Sequence, residues 1–195
     1  MGKLIHNGIT YANINYEIGP GLYPVQNIDL IPVKPTDNTN IIYSGSYSSG
    51  TTGYRAFDGD INTSWASQSS TTAGARYVGY KFSEPVLCNK YTIAYNNSGS
   101  WFLQQYPNTY VIQGSNDDGV TWVDLYDDIW VLTSDPSAVV YRTRTFENDT
   151  AYKWYRFLIN KAGSSGSDYC LITEITLYQA IYGYVTIPTL GNKAT

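Results

Sequence analysis

The sequence predicts an all-β protein, an antiparallel β-sandwich of jelly-roll type with an extended N-terminal arm. Three observations carry this. Twenty tyrosines and five tryptophans stand against one methionine, and aromatic side chains suit half-buried pleated surfaces. Between residues 41 and 180, short runs rich in β-branched and aromatic residues alternate with clusters of Gly, Asn, Asp, Ser and Pro. No segment holds a sustained 3.6-residue apolar period.

In chain order, residues 1–40 carry apolar runs broken by Gly19-Pro20-Gly21 and by Pro24, Pro32 and Pro35. They read as an arm and linker, the stretch from Pro32 to Thr39 being extended. The main domain is expected over 41–180. Its strand-like runs are Arg76–Phe82, Leu87–Tyr95, Thr109–Gly114, Thr121–Leu125, Ala138–Phe146, Lys153–Ile159 and Leu171–Tyr178. The first alternates, with Tyr77, Gly79 and Lys81 on one face and Val78, Tyr80 and Phe82 on the other. Seven runs at this spacing imply a sandwich or jelly roll. Residues 181–195 add one strand-like run, Tyr182 to Ile187, and a polar tail. No internal repeat is visible.

Two motifs stand out. From Tyr54 to Ser67 the chain forms an oxygen-rich stretch flanked by Phe57 and Trp65, in which Asp58, Asp60, Asn62 and Thr63 offer side-chain oxygens within six residues. Gly59 permits the tight turn that lets carbonyls converge on one point. A hard cation such as calcium takes that kind of oxygen cage. The spacing is not that of a helix-loop-helix calcium hand, because no glutamate stands twelve residues on. The second motif is Ser115-Asn-Asp-Asp-Gly-Val-Thr-Trp122. Asp118-Gly119 between strand runs signals a hairpin. The motif also resembles the Asp-box of sialidase propellers, but a propeller would repeat it at blade spacing and only one copy is present.

Taken together, ordered segments resemble the discoidin, or coagulation-factor C-type, family, which includes galactose-binding-like carbohydrate-binding modules. They are Ala56-Phe-Asp-Gly-Asp with Thr63-Ser-Trp65, then Tyr77 to Val86, Asn89 to Ile93, Tyr110 to Asn116 with Thr121-Trp122, Trp154 to Phe157, and Ile172 to Tyr178. The resemblance covers 41–180 and implies a discoidin-like sandwich. It also implies a structural calcium held by Asp58, Asp60, Thr63 and Glu174, pinning a long loop to the last strand. Neither Cys88 nor Cys170 sits at a domain end. The terminal bridge of the clotting-factor members is therefore absent, which favours the microbial carbohydrate-binding branch.

Strand reversal fixes the expected ligand end. Successive antiparallel strands place every second connection at the same end, so 44–76, 96–107, 126–137 and 160–170 should gather together. That end collects Tyr47, Tyr54, Arg76, Trp101, Phe102, Tyr106, Trp130 and Tyr169. Of these Tyr47, Arg76, Trp101, Phe102, Tyr106 and Tyr169 are the candidate glycan contacts. Aromatic rings stack on a sugar's C–H face while amide, guanidinium and carboxylate groups hold its hydroxyls. Trp101, which follows Asn96-Asn-Ser-Gly-Ser, is the leading candidate.

Other classes find no support. Twelve Lys and Arg against sixteen Asp and Glu give a net charge of −4, with no basic stripe for nucleic acid. No apolar run reaches spanning length, and the first residues lack the apolar core of a signal peptide, so synthesis in a cytoplasm is expected. Cys88 and Cys170 lie outside any CxxC spacing and read as free thiols. The one histidine, His6, lies in the arm. A Ser-His-Asp system in the domain is therefore excluded, and no catalytic residue is nominated. The opening Leu4-Ile-His-Asn-Gly-Ile-Thr-Tyr11 resembles the openings of bacteriophage tail and adsorption proteins. The expectation is a non-catalytic glycan-binding virion protein, or alternatively an extracellular one. It would attach a bacteriophage to cell-surface polysaccharide, contact other virion proteins through 1–40 and form a homo-oligomer. The competing reading is a virion decoration or connector protein without a glycan ligand.

Overall fold

The structure, a computed structural model, describes residues 4–6, 9–11, 22–70, 72–96, 102–133, 138–164 and 166–184. The chain divides into two compact units, one of Met1–Gln26 with Ile181–Thr195 and one of Asn27–Ala180. In the smaller, β1 (Leu4–His6) and β2 (Ile9–Tyr11) form an antiparallel pair.

The larger unit is a two-sheet sandwich. Its strands are β3 (Leu22–Asp29, which enters it at Asn27), β4 (Ile41–Tyr43), β5 (Trp65–Ala66), β6 (Arg76–Val86) and β7 (Lys90–Tyr95). After a single helical turn, α1 (Phe102–Gln105), come β8 (Pro107–Ser115), β9 (Val123–Ile129), β10 (Val140–Thr145), β11 (Tyr152–Ala162), β12 (Leu171–Ile172) and β13 (Glu174–Tyr184). One sheet has the order β10-β7-β13-β3 and the other β4-β6-β11-β8-β9, while β5 and β12 form a separate antiparallel pair. The pairs β10–β7 and β7–β13 and all four pairs of the five-stranded sheet are antiparallel.

Period-2 alternation builds the core. Tyr91, Ile93, Ile175 and Leu177 of one sheet bury against Val78, Tyr110, Ile112, Tyr155 and Phe157 of the other. Tyr91 meets Phe157 edge-on, ring centres 5.1 Å apart, within the range where aromatic pairs add to area burial. Each large side chain so buried contributes about 1.5–3 kcal/mol.

All seven sequence-read runs contain strands, with informative differences. The Leu171–Tyr178 run splits at Thr173, whose N–H donates to the Ala94 carbonyl at 3.0 Å and whose Oγ1 accepts from Asn96 N at 2.8 Å. The break resets the alternation between Ile172 and Ile175. The Thr121–Leu125 run becomes strand only at Val123, because Thr121 and Trp122 complete the hairpin. There Thr121 N donates to Asp117 Oδ1 at 2.9 Å and Trp122 Nε1 to the Gly119 carbonyl at 2.9 Å. Asp118 and Gly119 both take positive φ, 55° and 80°. Part of the stretch read as linker also packs on the sandwich. Ile31 is buried in the core and Leu30 N donates to the Leu177 carbonyl at 2.9 Å. The compact unit thus begins at Asn27, fourteen residues before the sequence reading began its main domain. Cys88 and Cys170 are both free and buried, and burial pushes each thiol up to about 12.

Candidate functional site

Strand pairing gathers the expected loops at one end. Ile159 lies opposite Arg76, Pro107 opposite Ala162 and Thr109 opposite Ile129, so the segments leaving those positions emerge together. Backbone bonds lace them: Trp130 N to the Asn108 carbonyl at 2.7 Å, Gly163 N to Tyr106 at 2.8 Å and Ser70 N to Asp168 at 2.8 Å. Asn96 Nδ2 donates to the Ile61 carbonyl at 3.3 Å, tying in the oxygen-rich loop.

At this end Tyr47 is 65% exposed and Tyr169 half-buried. Their rings meet at 5.1 Å and 86°. Tyr47 is held through its N–H to the Ala66 carbonyl at 2.9 Å, and the 167–170 segment through Cys170 N to Ser67 Oγ at 3.0 Å. Gln68 and Asp168, both exposed, lie on these two laced segments. Neither was singled out from sequence, where nothing but strand-end adjacency could have marked them.

The remaining candidates separate. Tyr106 is fully buried, so its nomination as a ligand contact is corrected. Its ring plugs the sandwich between Tyr95 at 5.9 Å and Trp130 at 6.1 Å, and its hydroxyl accepts from Leu132 N at 3.2 Å. Arg76 is corrected likewise. Its guanidinium is buried and donates from Nη1 to the Ser167 carbonyl at 2.6 Å, so it holds the backbone at Ser167. Trp101 lies outside the described residues, and Phe102 is described only as the backbone opening α1.

The oxygen-rich loop is ordered by its own side chains. Thr63 Oγ1 donates to Asp58 Oδ2 at 2.7 Å and Asp60 N donates to Asp58 Oδ1 at 3.0 Å. Asp60 Oδ1 accepts from Asn62 N at 3.0 Å and Nδ2 at 2.9 Å, while its carbonyl accepts from Thr63 N at 3.0 Å. Glu174 reaches across from the start of β13. Its Oε2 accepts from Gly59 N at 2.9 Å, and its Oε1 is buried without a hydrogen-bond partner. Burial pushes the Glu174 carboxyl up to about 8, the Gly59 N–H and Lys34 opposing, Asp58 and Asp29 adding to the rise. Among the described residues no group of three or more His, Cys, Asp or Glu side chains is placed to hold a metal ion. Even so, an orphaned carboxylate oxygen beside the charge of Asp58 fits a cation.

A family model for the F5/8 type C domain matches residues 38–175. Several solved structures share the fold. The CBM32-3 module of a family 31 glycoside hydrolase from Clostridium perfringens is 18% identical with a TM-score of 0.57, over 73% of this chain and 92% of that one. The family 32 CBM of C. perfringens NanJ, in complex with galactose, is 17% identical with a TM-score of 0.53, over 71% and 92%. Chitosan-binding module 1 of a chitosanase/glucanase from Paenibacillus sp. IK-5 is 22% identical with a TM-score of 0.51, over 73% and 96%. No curated protein matches the chain.

Proposed function

The chain belongs to the F5/8 type C domain family, and from that premise we propose that it is a non-catalytic glycan-binding module whose ligand sits on Tyr47 and Tyr169. The observation that carries the reading is the exposed Tyr47 ring, fixed edge-on to Tyr169 at the laced loop end. A ring held open by a neighbouring ring presents a preformed stacking face, and little conformational entropy is lost when a sugar covers it. Gln68 and Asp168 supply hydroxyl partners. Likeness to modules whose names carry galactose or chitosan supports a saccharide ligand.

Calcium belongs to the proposal as a structural ion at the 58–63 loop. The partnerless Glu174 Oε1 supports it, with Asp58, Thr63 and the Asp60 carbonyl completing the oxygen set. The ion would fix the loop, leaving sugar recognition to the aromatic face. One shallow site of this kind binds at about millimolar Kd, about −4 kcal/mol, so useful attachment needs many copies on one particle. A bacteriophage virion assembled in a host cytoplasm supplies that multiplicity. The part of residues 1–40 that precedes Asn27 then serves contacts with other virion proteins or with further copies of the chain.

A glycan array probed with wild type, Tyr47→Ala, Tyr169→Ala and Trp101→Ala, each with and without calcium, tests the reading. Loss of binding in the Tyr47 and Tyr169 variants at unchanged melting temperature is expected. Undiminished binding in both would exclude the face, and loss in Trp101→Ala alone would move the site onto the 96–107 loop. Silence of wild type across the array would favour the decoration or connector role.

A further inference from the structure

A second feature of the sandwich lies away from the loop end. A groove of about 500 Å³ opens between residues 30–33 and the middle of β6 and β11, within the size range of small-ligand sites, about 300–1,000 Å³. The half-buried Trp154 ring lies on the Lys81 face of the β6–β11 pair, and Tyr80 and Phe82 line the groove from the opposite face of β6. The groove's rim carries Lys81 and Lys153, with Asn40, Ser83 and Asp118. Lys81 lies opposite Trp154 across the β6–β11 pair and Arg76 opposite Ile159. Five residues of strand therefore separate the groove from the loop end, about 17 Å.

The state of the cations distinguishes this groove. Among the described residues, ion pairs form at Lys34–Asp29, Arg142–Asp128 and Arg144–Asp128. The ammonium groups of Lys81 and Lys153 take part in none of them, although the chain carries more acids than bases. Lys81 Nζ stands 5.5 Å over the Trp154 ring. The neighbouring Arg156 is committed: its guanidinium lies 3.9 Å over Trp122 and its Nε donates to Gln113 Oε1 at 2.7 Å. Two ammonium groups outside any ion pair, that of Lys81 over the Trp154 ring and that of Lys153 on the groove lining, match an anion that also has an apolar face. Asp118 offsets one of the two charges, so a single carboxylate is the better match than a doubly charged phosphate.

We propose that this groove is a second saccharide site, selective for a hexuronate residue within an acidic glycan. The sugar carboxylate would accept from Lys81 and Lys153. Its C–H face would lie on Trp154, and its hydroxyls would meet Asn40, Ser83 and Asp118. The site stands independently of the loop-end reading, since the two share no residue.

The test is an NMR titration of the 15N-labelled full chain with tetragalacturonate and with tetramannuronate, followed by the methyl ester of whichever binds. Shifts are expected at Trp154 Nε1–H and at the amides of residues 81–83 and 153–154. Affinity should fall at least tenfold for the methyl ester and in 0.5 M salt, where screening shortens to about 4 Å. The double variant Lys81→Ala/Lys153→Ala should lose binding by at least tenfold, while Tyr47→Ala keeps it. Absence of shifts with both oligosaccharides, shifts confined to residues 47 and 167–170, or equal binding of the methyl ester would each overturn the proposal. The ester comparison uses wild type and decides the question even if the double variant fails to fold. Loss of neutral-glycan binding in Tyr47→Ala, with the uronate shifts intact, separates the two sites.

Discussion

Glu174 accepts a hydrogen bond from the backbone N–H of Gly59 at 2.9 Å, joining two points 115 residues apart in the chain. Gly59 holds φ at +76°, and a Cβ there would sit 3.2 Å from the Lys34 side chain. The contact uses one carboxylate oxygen and leaves the other buried and unsatisfied. A structural cation would complete it.

Calcium should raise the melting temperature, and more so at pH 8 than at pH 5.5. Glu174, its carboxyl raised to about 8, must lose a proton before it can ligate an ion. Calcium at a hundred times its Kd adds about 2.7 kcal/mol by mass action. Calorimetry in two buffers of different ionisation enthalpy should register proton release below pH 8. A melting temperature indifferent to both calcium and chelator at pH 8 would sink the assignment.

Without calcium, Glu174 itself should make stability fall as pH rises. Its folded value lies above the ordinary 4.5, so its contribution is complete below about 4.5 and is lost progressively up to about 8. Glu174→Gln removes the titrating group, and its denaturation midpoint should stay level across that window while that of wild type declines. Parallel curves for the two proteins would show that the carboxyl is not the source of the slope.

How far the sequence reached follows from what each residue needs to be read. The faces of Val78 and Tyr80 were legible because the period-2 alternation of 76–82 is a local signal, and the 115–122 hairpin because its turn chemistry is local too. Tyr106 was not legible. A loop tyrosine is marked as accessible by its polar neighbours, and only the fold brings Tyr95 and Trp130 against it. Glu174 gave no direction because the break at Thr173 is made by bonds to Ala94 and Asn96, far away in sequence. The pairing of Lys81 with Trp154 requires the register of β6 on β11, which no single strand contains.

Removing residues 1–26 should leave a cooperative fold, because the compact unit starts at Asn27. Removing 1–35 should cost stability. That cut deletes the buried Ile31, the Lys34–Asp29 pair and the Leu30 bond to β13. Loss of one buried isoleucine alone costs about 2–5 kcal/mol. Urea midpoints of the two truncations check this. Equal midpoints would mean that residues 27–35 contribute nothing to the sandwich.

A polar bolt joins the edges of the two sheets. β9 closes one sheet and β10 the other, and Asp128 of β9 joins them. Arg142 of β10 donates from Nε to Asp128 Oδ2 at 2.9 Å and from Nη2 to Oδ1 at 2.6 Å. The hydroxyls of Tyr91 and Tyr110 donate to the same Oδ2 at 3.0 and 2.9 Å. Burial raises the Asp128 carboxyl, but the Arg142 fork and the two hydroxyls outweigh it and hold the group below its ordinary value. Its contribution is therefore present above about pH 4 and lost as pH falls through the depressed value. Asp128→Ala should cost about 2–3 kcal/mol, below the 3–5 of a fully buried pair because Arg142 keeps some access to water. Asp128→Asn, which retains acceptor geometry for the hydroxyls but not the charge, should lose less. Both variants should flatten the acid limb of the stability curve below about pH 4. If that limb is unchanged in Asp128→Asn, the charge on Asp128 is not what holds the two edges together.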